Sequence, residues 1–157
     1  MEQHDLEVLS RFEEVWRRVQ QKEPEEKETA DHVLEPLIDG LVYQWRGCRR
    51  LAACTCGTEK ARLLALSDRI KKQIRTLQLQ YFLKEGDVYF SEADPNFASY
   101  TPYNLRKLWQ STVKNAERIK TCNLNGNSDL VAELQGMDTE MQSQKSELEA
   151  LISGLLR

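Results

Sequence analysis

The sequence predicts an all-α protein: a four-helix bundle made of two antiparallel hairpins joined by one long crossover, with an extra helix at the N-terminus. Three observations lead there. Five segments carry apolar residues at alternating steps of three and four. Two of the breaks between them are tight turns, and one is a connection of about 16 residues, long enough to run back along a bundle. The composition, 40% hydrophobic and 30% charged with only 4 Pro and 7 Gly in 157 residues, fits helices around a core and not a disordered or fibrous chain.

The first segment, Asp5 to Gln21, places Leu6, Leu9, Phe12, Trp16 and Val19 on one stripe. Pro24 ends it, and the charged stretch Lys22 to Glu28 reads as a solvated linker. Residues 1–29 are thus expected to form a helix and acidic linker, and residues 30–157 the bundle. The second segment, Ala30 to Ala53, repeats Leu34, Leu37, Ile38, Leu41, Val42, Trp45, Cys48, Leu51 and Ala52. Pro36 belongs in its first turn, so the regular helix is expected from about Glu35. Cys54-Thr55-Cys56-Gly57 supplies a turn, with Gly57 suited to positive φ and Thr58 a candidate cap. The third segment, Thr58 to Lys84, carries Leu63, Leu66, Ile70, Ile74, Leu77 and Tyr81, with a basic face at Arg69, Lys71, Lys72 and Arg75, and Glu85-Gly86 stops it.

The connection from Asp87 to Pro102 is rich in aromatics (Tyr89, Phe90, Phe97, Tyr100) that are expected to pack along the bundle wall. A 25-residue helix is about 37 Å long, and about 16 extended residues span up to about 53 Å. The fourth segment begins at Thr101-Pro102, with proline at its favoured first position, and buries Leu105, Leu108, Trp109, Thr112, Ala116 and Ile119. Asn123 to Asn127 is a turn cluster, and Ser128 caps a last helix bearing Leu130, Leu134, Met137, Met141, Leu148, Leu151 and Leu155. In this plan Cys54 and Cys56 lie at one pole and Cys122 at the other.

Net charge is −3, so no global field favours nucleic acid or an anionic membrane. No apolar run approaches the roughly 20 residues of a transmembrane helix. The polar, acidic start Met1-Glu2-Gln3-His4-Asp5 does not resemble a signal peptide, and four cysteines without one suggest reduced thiols, so a cytoplasmic location is expected.

Two stretches carry a family resemblance. Leu66-Ser67-Asp68-Arg69-Ile70-Lys71-Lys72-Gln73-Ile74-Arg75, followed by Tyr81-Phe82-Leu83-Lys84-Glu85-Gly86-Asp87-Val88-Tyr89, resembles a rubrerythrin-related ferritin-like family. Its members typically read Leu-Ala-x-Asp-Glu-x-x-His, then a Tyr-Phe-Leu run, a Gly and a Tyr. Ala116-Glu117-Arg118-Ile119 and the closing helix from Glu133-Leu134 to Ile152 resemble the second half. The resemblance spans about Leu34 to Leu156 and implies the ferritin-like topology of two hairpins and one crossover.

It also implies a dinuclear metal site that this sequence does not supply. Such a site takes one Glu from each of two helices and a Glu-x-x-His from each of the other two. The only histidines are His4 and His32. At the first expected Glu-x-x-His stand Ile70-x-x-Gln73, or Arg69-x-x-Lys72 one residue earlier; the second falls near Met141-x-x-Gln144. The nearest carboxylate in the second segment is Asp39, and in the fourth the expected Glu falls near Thr112. No cofactor is therefore expected. A surviving atypical site would need several of Asp39, Asp68, Glu117 and Glu140 in one cavity.

Other constellations are weaker. A Cys₄ zinc site from Cys48, Cys54, Cys56 and Cys122 suffers from the short Cys54-x-Cys56 gap, so Cys48 and Cys122 read better as small core or helix-end residues. A redox role for Cys54 and Cys56 stays open. Arg46, Arg49 and Arg50 with Arg69, Lys72 and Arg75 form either an anion-binding patch or, on the blander reading, a solvated face. Trp16, Trp45 and Trp109 read as core anchors rather than a platform for bases. No phosphate loop or nucleophile elbow occurs. The sequence thus points to a non-catalytic bundle acting in association, with itself or another protein, through the N-terminal helix. The alternative is a rubrerythrin-like metal-dependent oxidoreductase or iron-handling protein with an atypical dinuclear site.

Overall fold

The computed structural model describes Arg11, residues 34–124 and residues 128–156, with the backbone alone described at 122–124 and 128–133. Apart from Arg11, which is helical and exposed, the expected N-terminal helix and linker lie outside these residues. The all-α expectation holds: the described chain folds into four helices, α1 (Leu34–Ala53), α2 (Gly57–Glu85), α3 (Pro102–Leu124) and α4 (Ser128–Leu155), corresponding to the second to fifth apolar segments.

Each helix forms where its apolar stripe closes. In α1, Leu34, Leu37, Ile38, Leu41, Val42, Cys48, Leu51 and Ala52 are buried, and Pro36 sits in the first turn, where its missing N–H costs nothing. In α2 the buried stripe is Leu63, Leu66, Ile70, Ile74 and Leu77. Gly57 takes the predicted positive φ of 69°. Thr58, however, is not the cap: the helix already begins at Gly57, Cys56 occupies the N-cap, and no side chain there bonds to the first turn. Gly86, left-handed at φ 74°, ends the helix with its N–H donating to the carbonyl of Phe82. At the start of α3, Thr101 Oγ1 accepts a hydrogen bond from the Asn104 N–H at 3.2 Å, one position before Pro102.

Cross-helix contacts fix the arrangement. Gln44 meets Thr112 and Gly47 faces Leu108, so α1 and α3 run antiparallel. Arg69 reaches Glu140 while Arg62 reaches Glu147, and Trp109 reaches Glu149, so α4 is antiparallel to both α2 and α3. Packing is heaviest within the α1/α2 and α3/α4 hairpins, substantial between α1 and α3, and sparse between α2 and α4. Since α2 and α3 are parallel, residues 86–101 must carry the chain from one pole to the other. They do so along α1. Tyr89 donates to Asp39 at 2.8 Å, Arg46 donates to the carbonyls of Ser91 and Ala93, and Arg50 forms a two-pronged pair with Asp94. Phe97 is buried and meets Tyr43 edge-on. Cys54 and Cys56 are exposed at the α1–α2 turn, and Cys122 lies near the far end of α3, at the other pole.

The tryptophans correct the sequence reading. Trp45 and Trp109 are only partly buried, at the edge of the core. The Trp45 ring lies across the α1–α2 seam, with Arg49 at 5.7 Å and Lys71 at 5.8 Å from its centroid. A large ring on the apolar stripe outgrows the space between closely packed helices and slides outward. Trp45→Ala is accordingly expected to cost about 1–2 kcal/mol, below the range of about 3–5 for a fully enclosed aromatic. Chemical denaturation measures this, and a loss above about 3 kcal/mol would place the ring in the core after all.

The phenols that tie α1 to its neighbours respond to pH. Tyr81 donates to Glu35 at 2.8 Å, as Tyr89 does to Asp39. Burial first, and the carboxylate partner second, push the Tyr89 phenol up from 10.0 to about 12, and Tyr81 moves the same way. A phenol harder to ionise in the folded state favours folding at pH below its ordinary value, and that contribution fades as pH climbs from 10 towards 12. Alkaline titration should show tyrosinate absorbance and loss of helical dichroism rising together in that window. Ionisation of every phenol near pH 10 with the helices intact would contradict it.

Candidate functional site

The interior at mid-height is polar. The pairings above bring Gln44 of α1, Gln73 of α2, Thr112 and Asn115 of α3 and Gln144 of α4 to one level, all buried. They bond in two groups. Gln44 donates through Nε2 to Thr112 Oγ1 at 2.5 Å and accepts from Asn115 Nδ2, while Thr112 donates to the Leu108 carbonyl at 2.9 Å. Across the other seam, Gln144 Nε2 donates to Gln73 Oε1 at 2.9 Å, and Gln73 Nε2 reaches the Met137 carbonyl at 3.5 Å. Apart from the Thr112–Leu108 bond inside α3, each ties two helices, and each satisfies a group whose burial alone costs about 1–3 kcal/mol.

Glycine makes the first group possible. At Gly40 a Cβ would overlap Asn115 Oδ1 and lie 2.8 Å from Arg118 Nη1; at Gly47 it would lie 2.5 Å from Leu108 Cδ2. Gly40 and Gly47, one heptad apart and flanking Gln44, therefore let α3 approach the α1 backbone.

Three members of the layer, Gln73, Thr112 and Gln144, stand at positions to which the resemblance assigns metal ligands. Ile70, Gln73, Thr112, Met141 and Gln144 all face inward, and none is a carboxylate or imidazole. Neutral amides and a hydroxyl do not suit a transition-metal pair, which is held by carboxylate and imidazole. The residues present do not fit the group. The four candidate carboxylates do not converge either. Asp39 faces the connection and holds Tyr89, Asp68 and Glu117 are exposed, and Glu140 pairs with Arg69 at 2.5 Å. Among the described residues no group of three or more His, Cys, Asp and Glu could hold a metal ion.

The other candidates disperse as well. Cys48 is buried, and burial pushes its thiol up to about 12, so at neutral pH it is a protonated core thiol. The basic patch does not assemble: Arg46 and Arg50 bind the connection, Arg49 lies against Trp45, and Arg69 is taken by Glu140 and Ser143. His4, His32 and Trp16 lie outside the described residues. No described helix is long and apolar enough to cross a membrane.

Gln44 and Asn115 escaped the sequence reading. The available signal was a polar residue between two glycines on an otherwise apolar stripe. Gln73 and Gln144 enter the sequence reading only as positions where metal ligands are missing. Compared with known proteins, the chain finds no counterpart: no family model, curated protein or solved structure matches it.

Proposed function

We propose that the protein is a ferritin-like bundle in which hydrogen-bonded amides stand where a dinuclear metal centre would be, so that it acts by association and not by catalysis. The amide layer carries this reading. Two hairpins, a crossover along α1 and inward-facing Ile70, Gln73, Met141 and Gln144 suit the ferritin-like plan, while the donor set rejects its metal.

Association is supported by α2, whose distal end leaves Leu79, Phe82 and Leu83 exposed at i, i+3 and i+4, Leu79 by 56% and Leu83 by 69%. The N-terminal segment, with its own apolar stripe, is the second candidate contact surface. The test has two arms. Elemental analysis of protein purified without chelator should find no stoichiometric iron, manganese or zinc; two equivalents per chain that resist dialysis would restore the oxidoreductase or iron-handling reading. Sedimentation velocity over a wide concentration range should show self-association, weakened by Phe82→Ser/Leu83→Ser. A monomer throughout would remove self-association from the proposal.

A further inference from the structure

We propose that the groove between α1 and α3 binds an elongated small molecule carrying two or more anionic groups, phosphate or carboxylate. Lys107, Lys114 and Arg118, at i, i+7 and i+11 on one face of α3, all line it, together with Tyr43, Ser111 and Asp39. Its volume of about 520 Å³ falls within the range of small-molecule sites. The three cations extend over about 16 Å of helix, at about 1.5 Å per residue, which suits an extended polyanion better than a single small ion.

Among the described residues none of the three forms an ion pair, whereas Arg50, Arg62 and Arg69 each do. Among the described residues lining the groove the one carboxylate, Asp39, already holds the Tyr89 hydroxyl. The groove is thus positive in a chain of net charge −3. One cation is also held in place from the interior: Arg118 Nη1 donates to Asn115 Oδ1 at 3.0 Å, and Asn115 is fully buried and bonded to Gln44. The absent side chain at Gly40 lets that guanidinium lie against α1. Side chains fixed in advance lose less freedom on binding. Tyr43, whose phenol burial shifts upward, and Ser111 add neutral hydroxyl donors to the wall.

Inorganic pyrophosphate and citrate, titrated separately into the full chain at constant ionic strength and followed by calorimetry and amide NMR, test this. At least one should bind, with shifts confined to residues 40–43 and 107–118, and which one does distinguishes phosphate from carboxylate recognition. Affinity should fall about tenfold or more in Lys107→Gln/Lys114→Gln, as loss of two charged contacts implies. It should hold in Lys71→Gln/Lys72→Gln, which removes the same charge from α2. Binding by neither probe, or equal loss in both double variants, would overturn the proposal.

Discussion

Gly40→Ala is expected to destabilise the protein by about 2–4 kcal/mol, an unusual penalty for adding one methyl group to a helix. In an exposed helix the same change gains about 1 kcal/mol through propensity. Here the new Cβ would occupy the space of Asn115 Oδ1 and crowd Arg118 Nη1. The Arg118 guanidinium, at the end of a long side chain, can swing aside, but Asn115 does not yield freely. Asn115 is fully buried and its Nδ2 is committed to Gln44, so displacing it breaks a bond and strands a polar group. A double-mutant cycle isolates the mechanism: in an Asn115→Ala background the overlap disappears, and Gly40→Ala should become nearly neutral. Additive effects of the two substitutions would refute this account.

Gln44→Leu is the second large effect, at about 2–3 kcal/mol. Leucine matches the volume and suits the apolar stripe, so a purely hydrophobic account expects no loss. The structure expects one, because Gln44 is the hub of its group and its removal leaves Asn115 Nδ2 buried without that acceptor. The pair across the other seam should behave differently. Among the described residues Gln144 Oε1 has no partner, and the two amides bond chiefly to each other. Gln73→Leu/Gln144→Leu removes both ends of that bond together and should stay within about 1 kcal/mol of the parent, where the single Gln73→Leu costs more. Urea denaturation of the set decides, and a double variant as damaged as Gln44→Leu would mean both groups are equally structural.

These contrasts show which parts of the molecule the sequence could express. Helices were legible because Leu34–Leu51 and Leu63–Leu77 state their periodicity openly, and Pro102 and Gly86 mark ends by local backbone chemistry that needs no tertiary partner. Gly40 and Gly47 state nothing in an apolar count; what they do depends on Asn115 and Leu108, some 60 to 75 residues away. Gln44 reads as a surface amide until its hydrogen-bond partners are known. The arginines show the same limit. Arg46 and Arg69 look like an exposed basic face, yet the connection and Glu140 claim them, and the cations that line the groove lie on α3. Trp45 sits on the stripe as its spacing implies, but it stays partly buried at the edge of the core, between Arg49 and Lys71.

The route of residues 86–101 along α1 has a consequence for how the molecule opens. Helix α1 is enclosed on three sides, by α2, by α3 and by the connection, while α4 rests mainly on α3 and only sparsely on α2. Local opening starts where the fewest contacts are lost. Amide protons of α4 should therefore exchange with solvent through partial detachment of that helix, well before global unfolding. The amides of α1 have no such shortcut. Their exchange requires the two hairpins and the connection to separate together, so α1 should report the full free energy of the fold.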